Sequence, residues 1–149
     1  MLLQRLALKN VLSFKESTVE LGPLNVLIGP NAVGKSNLIE AISLLQGAPT
    51  GLSKAILRGG GIRQWLWLGL QVPSLIASLE CRVRLSSGRQ QGTLDYGLSI
   101  SEDATGFVIT DERLVDSTHG TDQPEPEMYF HRTFKQAGRS CNFRSPVLG

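Results

Sequence analysis

Gly29-Pro30-Asn31-Ala32-Val33-Gly34-Lys35-Ser36 has the spacing G-x-x-x-x-G-K-[ST], and that spacing suits a phosphate-binding loop. Successive backbone N–H groups of a glycine-containing turn converge on an anion. The start of a following helix adds a positive dipole end at the same place. Lys35 is spaced to reach the β and γ oxygens of a nucleoside triphosphate as a point charge, and the Ser36 hydroxyl to ligate the Mg²⁺ that bridges them. The residues therefore predict a site for ATP or GTP formed by Gly29, Pro30, Asn31, Ala32, Val33, Gly34, Lys35 and Ser36, with the metal on Ser36. The bland alternative for the same letters is a glycine-rich strand-to-helix turn that binds nothing.

Such a loop needs a strand to deliver it and a helix to leave it. Leu24 to Ile28 is a short apolar run that reads as the central strand feeding the loop, and Lys35 to Leu45 as the helix. Leu38, Ile39, Ala41, Ile42 and Leu45 give that helix an apolar stripe. Gln46-Gly47, with Pro49 beyond, is its stop signal. Gln4 to Lys9 and Ser17 to Leu21 read as paired strands, and Gly51 to Leu57 as a second short helix before the glycine triplet Gly59-Gly60-Gly61.

Beyond the triplet the period changes to two. Leu79, Cys81, Val83 and Leu85 alternate with polar residues, as do Leu94, Tyr96, Leu98 and Ile100. This predicts an antiparallel meander with one buried face, continued by Phe107 to Ile109, Met128 to Phe134 and Arg139 to Phe143. Ser117 to Glu127, rich in Thr, Asp, Gly and Pro, reads as a surface loop.

A chain of 149 residues, 41% hydrophobic and 19% charged, has an ordinary globular balance. No apolar run is long enough for a membrane span and no leader pattern opens the sequence, so no membrane partner and a cytoplasmic location are expected. Cys81 and Cys141 have no metal-ligand spacing and read as reduced, small apolar residues. The net charge of +2 is unevenly spread. Residues 1–94 hold ten basic side chains against four acidic, 95–127 one against nine, and 128–149 four against none. The acidic middle is unsuited to nucleic acid, whereas the basic ends suit phosphate contacts.

The segment LALKNVLSFKESTVELGPLNVLIGPNAVGKSNLIEAISLLQ resembles the N-terminus of the RecF, SMC and OLD group of ABC-type ATPases, the AAA family ATPases. Two opening strands, the Gly22-Pro23-Leu24-Asn25 turn, Asn31, and Asn37 directly after Lys35-Ser36 carry the likeness. It implies an α/β fold, the N-terminal lobe of a P-loop NTPase with a mixed or antiparallel β-rich portion and few helices. It also implies ATP with Mg²⁺ as cofactors and Asn37 as a further nucleotide-binding residue. Position 32, commonly Gly in the group, is Ala32, a replacement suited to a negative φ. Asn10-Val11-Leu12 stands where the group carries Asn-Phe-Arg/Lys, which removes a basic contact at position 12 and leaves Lys15 as its substitute. Looser likeness runs through the glycine triplet to Trp67, then Asp95-Tyr96-Gly97-Leu98, Glu112-Arg113-Leu114 and Tyr129-Phe130-His131-Arg132.

Two further segments imitate ATPase motifs. Leu85-Ser86-Ser87-Gly88-Arg89-Gln90-Gln91 resembles the ABC signature, and Phe107 to Glu112 a Walker B strand, which would place Asp111 on Mg²⁺ and Glu112 beside the attacking water. A signature must open a helix, yet Thr93 to Ser101 alternates as a strand, and Thr110 interrupts the apolar run. A hairpin turn and an ordinary strand are the better readings, so the catalytic residues are left unassigned, with Asp111 and Glu112 as candidates.

Tyr129, Phe130, His131, Arg132, Phe134, Lys135, Arg139, Phe143 and Arg144 form a basic, aromatic cluster with two readings. One is a cationic surface for DNA; the favoured one is a hairpin turning at Gln136-Ala137-Gly138, with rings inside and charges outside. His119 and His131 form no constellation, and Trp65 and Trp67 share a face if their segment is extended. The expected organisation is a partial P-loop ATPase domain over 1–149, with strands, loop and helix in 1–58 and a meander in 59–149, the remainder of the domain lying elsewhere. In the complete protein the resemblance implies ATP hydrolysis, a homodimer through the nucleotide site, and DNA repair, chromosome maintenance or phage defence. A non-hydrolysing nucleotide sensor and an inert fragment are the alternatives.

Overall fold

Two-residue alternation dominates the chain, and it builds one antiparallel sheet with an apolar and a charged face. The computed structural model describes residues 1–67, 69, 76–87, 90–104, 106–118, 127–135 and 138–142. The strands are β1 (Leu2–Val11), β2 (Phe14–Glu20), β3 (Ala77–Ser87), β4 (Gln90–Asp103), β5 (Gly106–Asp116), β6 (Glu127–Lys135) and β7 (Gly138–Asn142), and the helices α1 (Lys35–Arg58) and α2 (Ile62–Trp65). Strand order is β2-β1-β3-β4-β5-β6-β7, every neighbouring pair antiparallel. The pairing of β1 with β3 joins the N-terminal segment and the meander in one sheet.

Register assigns each side chain to a face. Leu6, Cys81 and Tyr96 stand opposite one another on β1, β3 and β4, and Leu8, Leu79 and Leu98 form the next row. Leu6, Leu79 and Ile100 are fully buried beneath Leu38, Ala41, Leu44, Leu52 and Ile56 of α1. Each such leucine or isoleucine contributes about 1.5–3 kcal/mol. Cys81 belongs to this core, where burial, and after it the negative charge of Asp95, pushes its thiol up to about 11. It is a small apolar side chain there, as its spacing predicts.

The other face carries the charges in compensating pairs. Arg82 donates to both Asp95 oxygens at 2.7 and 2.8 Å, and Ser117 Oγ donates to Asp95 Oδ2 at 2.7 Å. Arg113 lies between Glu80 and Asp111, and His131 Nε2 is 2.9 Å from Asp111 Oδ1. The expected meander is present, extended to β5 and β6. Ser87 faces Gln90 across the β3–β4 hairpin, with Gly88 and Arg89 between them outside the described residues. Lys135 faces Gly138 across the β6–β7 hairpin. The ring and charge placement expected for Tyr129, Arg132, Phe134, Lys135, Arg139, Phe143 and Arg144 lies outside the described residues, as do Gln136, Ala137, His119, 120–126 of the surface loop and the side chain of Cys141.

Three local expectations are corrected. Leu24 to Ile28 is not a strand: it has no ladder partner among the described residues, and Leu24, Val26 and Ile28 are 85, 74 and 90% exposed. Both edges of β1 are already taken by β2 and β3, so the sheet offers this segment no adjacent β1 edge. The helix does not stop at Gln46-Gly47: it passes Pro49 and breaks at a kink at Gly51, which is off the helical conformation, and beyond it the expected second helix runs to Arg58. Pro49 lacks the N–H that would bond one turn back, and the chain resumes its helix because Leu52 and Ile56 bury against the sheet. Trp65 and Trp67 do not share a strand face, because Ile62–Trp65 is a single helical turn that follows Gly61 at φ +90°. Trp65 is buried and Trp67 half-buried.

The Arg82 guanidinium bonded to Asp95 holds that carboxyl below its ordinary range, against the opposing effect of burial, with Ser117 assisting. A depressed carboxyl stabilises the fold above its unfolded pKa of about 3.9, and the contribution disappears as pH falls through the lower folded value. Both side chains are over a third solvent-exposed or close to it, so Asp95→Asn should cost only about 0.5–1 kcal/mol at pH 7. Thermal melts at pH 7 and pH 3 check this: the gap between variant and parent should narrow at pH 3, and a gap that widens on acidification contradicts the assignment.

Candidate nucleotide site

The loop leaves residues 24–28 and closes onto α1 through Gly34. Gly34 occupies the N-cap of α1 with φ +93°, a conformation that disfavours any side chain. Space is tight as well: a methyl built there would lie 2.9 Å from Ser13 Oγ and 3.4 Å from Phe14 Cζ, so the serine hydroxyl would have to shift. The glycine is thus the point where the loop rests on the β1–β2 hairpin. The first helical bond runs from Leu38 N–H to the Gly34 carbonyl at 2.9 Å, leaving the N–H groups of Lys35, Ser36 and Asn37 ahead of the ladder. No acidic residue sits in the first turn to compete for them.

Asn31, Ala32, Gly34, Lys35, Ser36 and Asn37 line a cleft of about 340 Å³. Lys35 Nζ turns back over the loop and donates to the Gly29 and Pro30 carbonyls at 2.7 and 2.5 Å. Ser36 is exposed at the same cleft, a single hydroxyl ligand of the kind that Mg²⁺ accepts alongside phosphate oxygens and water. Gly29, Pro30 and Val33 form the exposed shoulder of the loop. The nine residues picked from the sequence therefore lie on one continuous turn and helix start.

Asp111 and Glu112 lie elsewhere. They sit within β5, which β3 and β4 separate from β1. Asp111 contacts Arg113 and His131, and Glu112 accepts a 2.8 Å bond from the Tyr96 hydroxyl. Neither lines the cleft at Asn31 to Asn37.

A second cleft, of about 540 Å³, adjoins the first and shares Asn37 with it. Leu12 and Ser13 of the hairpin turn, Glu40 of α1, Gln64 and Trp67 also line it. Leu12 N–H bonds the Trp65 carbonyl at 2.8 Å, and Trp67 N–H bonds the Asn10 carbonyl at 3.0 Å, so the tryptophan segment is strapped to the hairpin. The Lys15 ammonium lies 5.8 Å from the centre of the Trp67 ring. Trp65 Nε1 is buried with no bonding partner among the described residues, packed beside Gly59, where a methyl would approach it to 2.7 Å. Ser13, Glu40 and Gln64 were not singled out by sequence, because Leu-Ser is not a recognised two-residue hairpin turn. Asn10 and Leu12 nevertheless adopt positive φ, at +56° and +52°.

Ala32 departs from expectation: its φ is +67°, not negative. The loop bends there with a left-handed residue whatever its identity, which costs an L-residue about 1–2 kcal/mol. Glycine removes that strain and adds about 0.5–1 kcal/mol of backbone entropy cost. Ala32→Gly should therefore raise stability by about 0.5–1 kcal/mol, seen as a melting temperature higher by about 1–4 °C. A lower melting temperature contradicts the strain.

Comparison with known proteins follows the same segment. Residues 24–78 match the family described as "AAA domain, putative AbiEii toxin, Type IV TA system". The chain is 34% identical over 99 residues to the DNA replication and repair protein RecF of Renibacterium salmoninarum, covering 58% of this chain and 25% of that one. It is 52% identical over 46 residues to RecF of Limosilactobacillus fermentum, covering 30% of this chain and 12% of that one. The chain thus spans a quarter or less of these relatives. A chain from "Structural biochemistry of ATP-driven dimerization and DNA stimulated activation of SMC ATPases" superposes with a TM-score of 0.49 at 20% identity, covering 66% of this chain and 67% of that one. Among the described residues no helix is long and apolar enough to cross a membrane. The segment that carries the glycine loop is thus similar to RecF proteins and matches this AAA domain family.

Proposed function

We propose that this chain binds Mg-ATP through Gly29 to Asn37 as the nucleotide-binding lobe of a RecF/SMC-like ATPase. The observation that carries the reading is that Lys35, Ser36 and the start of α1, ahead of its first helical bond, line one cleft beside the glycine loop. Binding moves the Lys35 ammonium from the Gly29 and Pro30 carbonyls to phosphate oxygens. Mg²⁺ supplies charge neutralisation of the phosphates, and Ser36 holds it. The adjoining cleft takes the nucleoside, with Lys15 and Trp67 on its hairpin side.

ATP turnover, a homodimer closed through the nucleotide site and contact with DNA belong to the longer protein in this reading. The RecF names favour DNA repair among the processes considered. Within the chain itself a non-hydrolysing role is favoured by one observation: Asp111 and Glu112 are engaged by His131, Arg113 and Tyr96 away from the loop.

Calorimetric titration with Mg-ATP tests the proposal. The two Lys35 bonds each gain on the order of 1 kcal/mol on passing from a carbonyl to a phosphate oxygen, so Lys35→Ala should weaken binding at least about tenfold. Phosphate release from the parent should stay at the level of the variant. Equal affinity in parent and variant defeats the nucleotide site, and Lys35-dependent turnover defeats the non-hydrolysing role.

A further inference from the structure

We infer that Ser13, in the turn between β1 and β2, donates its hydroxyl to the α-phosphate of the bound nucleotide. The inference rests on the reading that Gly29 to Asn37 binds ATP. A nucleotide that fills both clefts passes from the one lined by Lys35 and Ser36 to the one lined by Gln64 and Trp67. Asn37 is shared by both clefts, so the crossing lies at the first turn of α1. The β and γ phosphates lie with Lys35 and Ser36, and the nucleoside lies on the hairpin side. The group at the crossing is therefore the α-phosphate.

Ser13 is the hairpin residue that meets the loop there. It is exposed, it lines the nucleoside cleft, and its Oγ lies 2.9 Å from where a methyl on Gly34 would be. A hydroxyl in that place serves as a donor to a phosphate oxygen, complementing the backbone N–H groups of α1 on another side of the anion. The turn is held to this position. Val11 pairs with Phe14 across it, and Leu12 N–H is bonded to the Trp65 carbonyl at 2.8 Å. Leu12, just before Ser13, is left-handed at φ +52°. An unusual backbone conformation for a leucine beside a binding cleft is the kind of strain that positions functional groups. This residue supplies a phosphate contact from outside the glycine motif, and the sequence spacing around Lys35 gives no hint of it.

The two diastereomers of ATPαS, in which sulfur replaces one or the other α-phosphate oxygen, test the contact directly, because sulfur accepts a hydrogen bond poorly. Titrations use Mg-ATP and both diastereomers with the parent, Ser13→Ala and Lys35→Ala. The expected result is about tenfold weaker ATP binding by Ser13→Ala, an unequal affinity of the parent for the two diastereomers, and a smaller ratio in Ser13→Ala with an unchanged melting temperature. Unchanged ATP affinity in Ser13→Ala, or the same diastereomer ratio as the parent, overturns the Ser13 contact while Lys35-dependent binding stands. ATP binding that is absent from the parent, or equal in Lys35→Ala, overturns the underlying nucleotide reading and the Ser13 contact with it.

Discussion

Position 34 favours glycine for two independent reasons, and the meeting of loop and hairpin draws on both. Its φ of +93° turns the chain from loop to helix, and its bare Cα lets Ser13 and Phe14 approach. Remove the first and α1 starts in another direction; remove the second and the loop lifts from the hairpin. The contact couples elements that are distant in sequence. β1 and β2 form one wall, the loop and the first turn of α1 the other, and the larger cleft lies between that hairpin and the strapped segment at Trp65 to Trp67. The sheet holds this hairpin in place through the pairing of β1 with β2 and β3.

It does so through asymmetry. Its apolar face anchors α1 by Leu6, Leu8, Leu79, Leu98 and Ile100, so the helix start is fixed relative to β1. Its polar face is a lattice of opposed charges, Arg82 with Asp95, Arg113 with Glu80 and Asp111. Exposed pairs of this kind add little stability each. Their local neutrality has a consequence for partners: among the described residues, Arg82 and Arg113 are bonded to carboxylates and are poorly placed to bind phosphate backbones.

What could be read from residues alone was whatever depended on local pattern. The paired strands at β1 and β2, the start of α1 at Lys35 and the β3–β4 hairpin all follow from period, motif and turn spacing. What failed depended on partners. Leu24 to Ile28 has the composition of a buried strand, but composition does not supply a neighbour to pair with, and the run is left exposed. Gln46-Gly47-Ala48-Pro49 has the letters of a stop, but the break comes later, at Gly51, and burial of Leu52 and Ile56 holds the helix that follows it. Ala32 and Leu12 have side chains that disfavour positive φ, and the loop and the hairpin impose it on both. The glycine triplet is the opposite case: its letters predict a turn, and the packing of Gly59 beside Trp65 gives a reason for one of them that turn chemistry does not.

The Lys35 geometry limits how the loop can gain affinity. Its ammonium already has two carbonyl acceptors, so a phosphate must displace Gly29 and Pro30 to be bonded by it. The net gain per bond is then the difference between a charged and a neutral acceptor, on the order of 1 kcal/mol rather than the full value of a charge-assisted bond. The remaining affinity has to come from groups with no such competitor: the N–H groups of Lys35, Ser36 and Asn37 ahead of the first helical bond, and the positive end of α1. Those groups are fixed by the backbone, whereas the Lys35 ammonium has to exchange its carbonyl partners. The backbone of the helix start is therefore the preorganised part of the site, and the lysine is the part that adjusts.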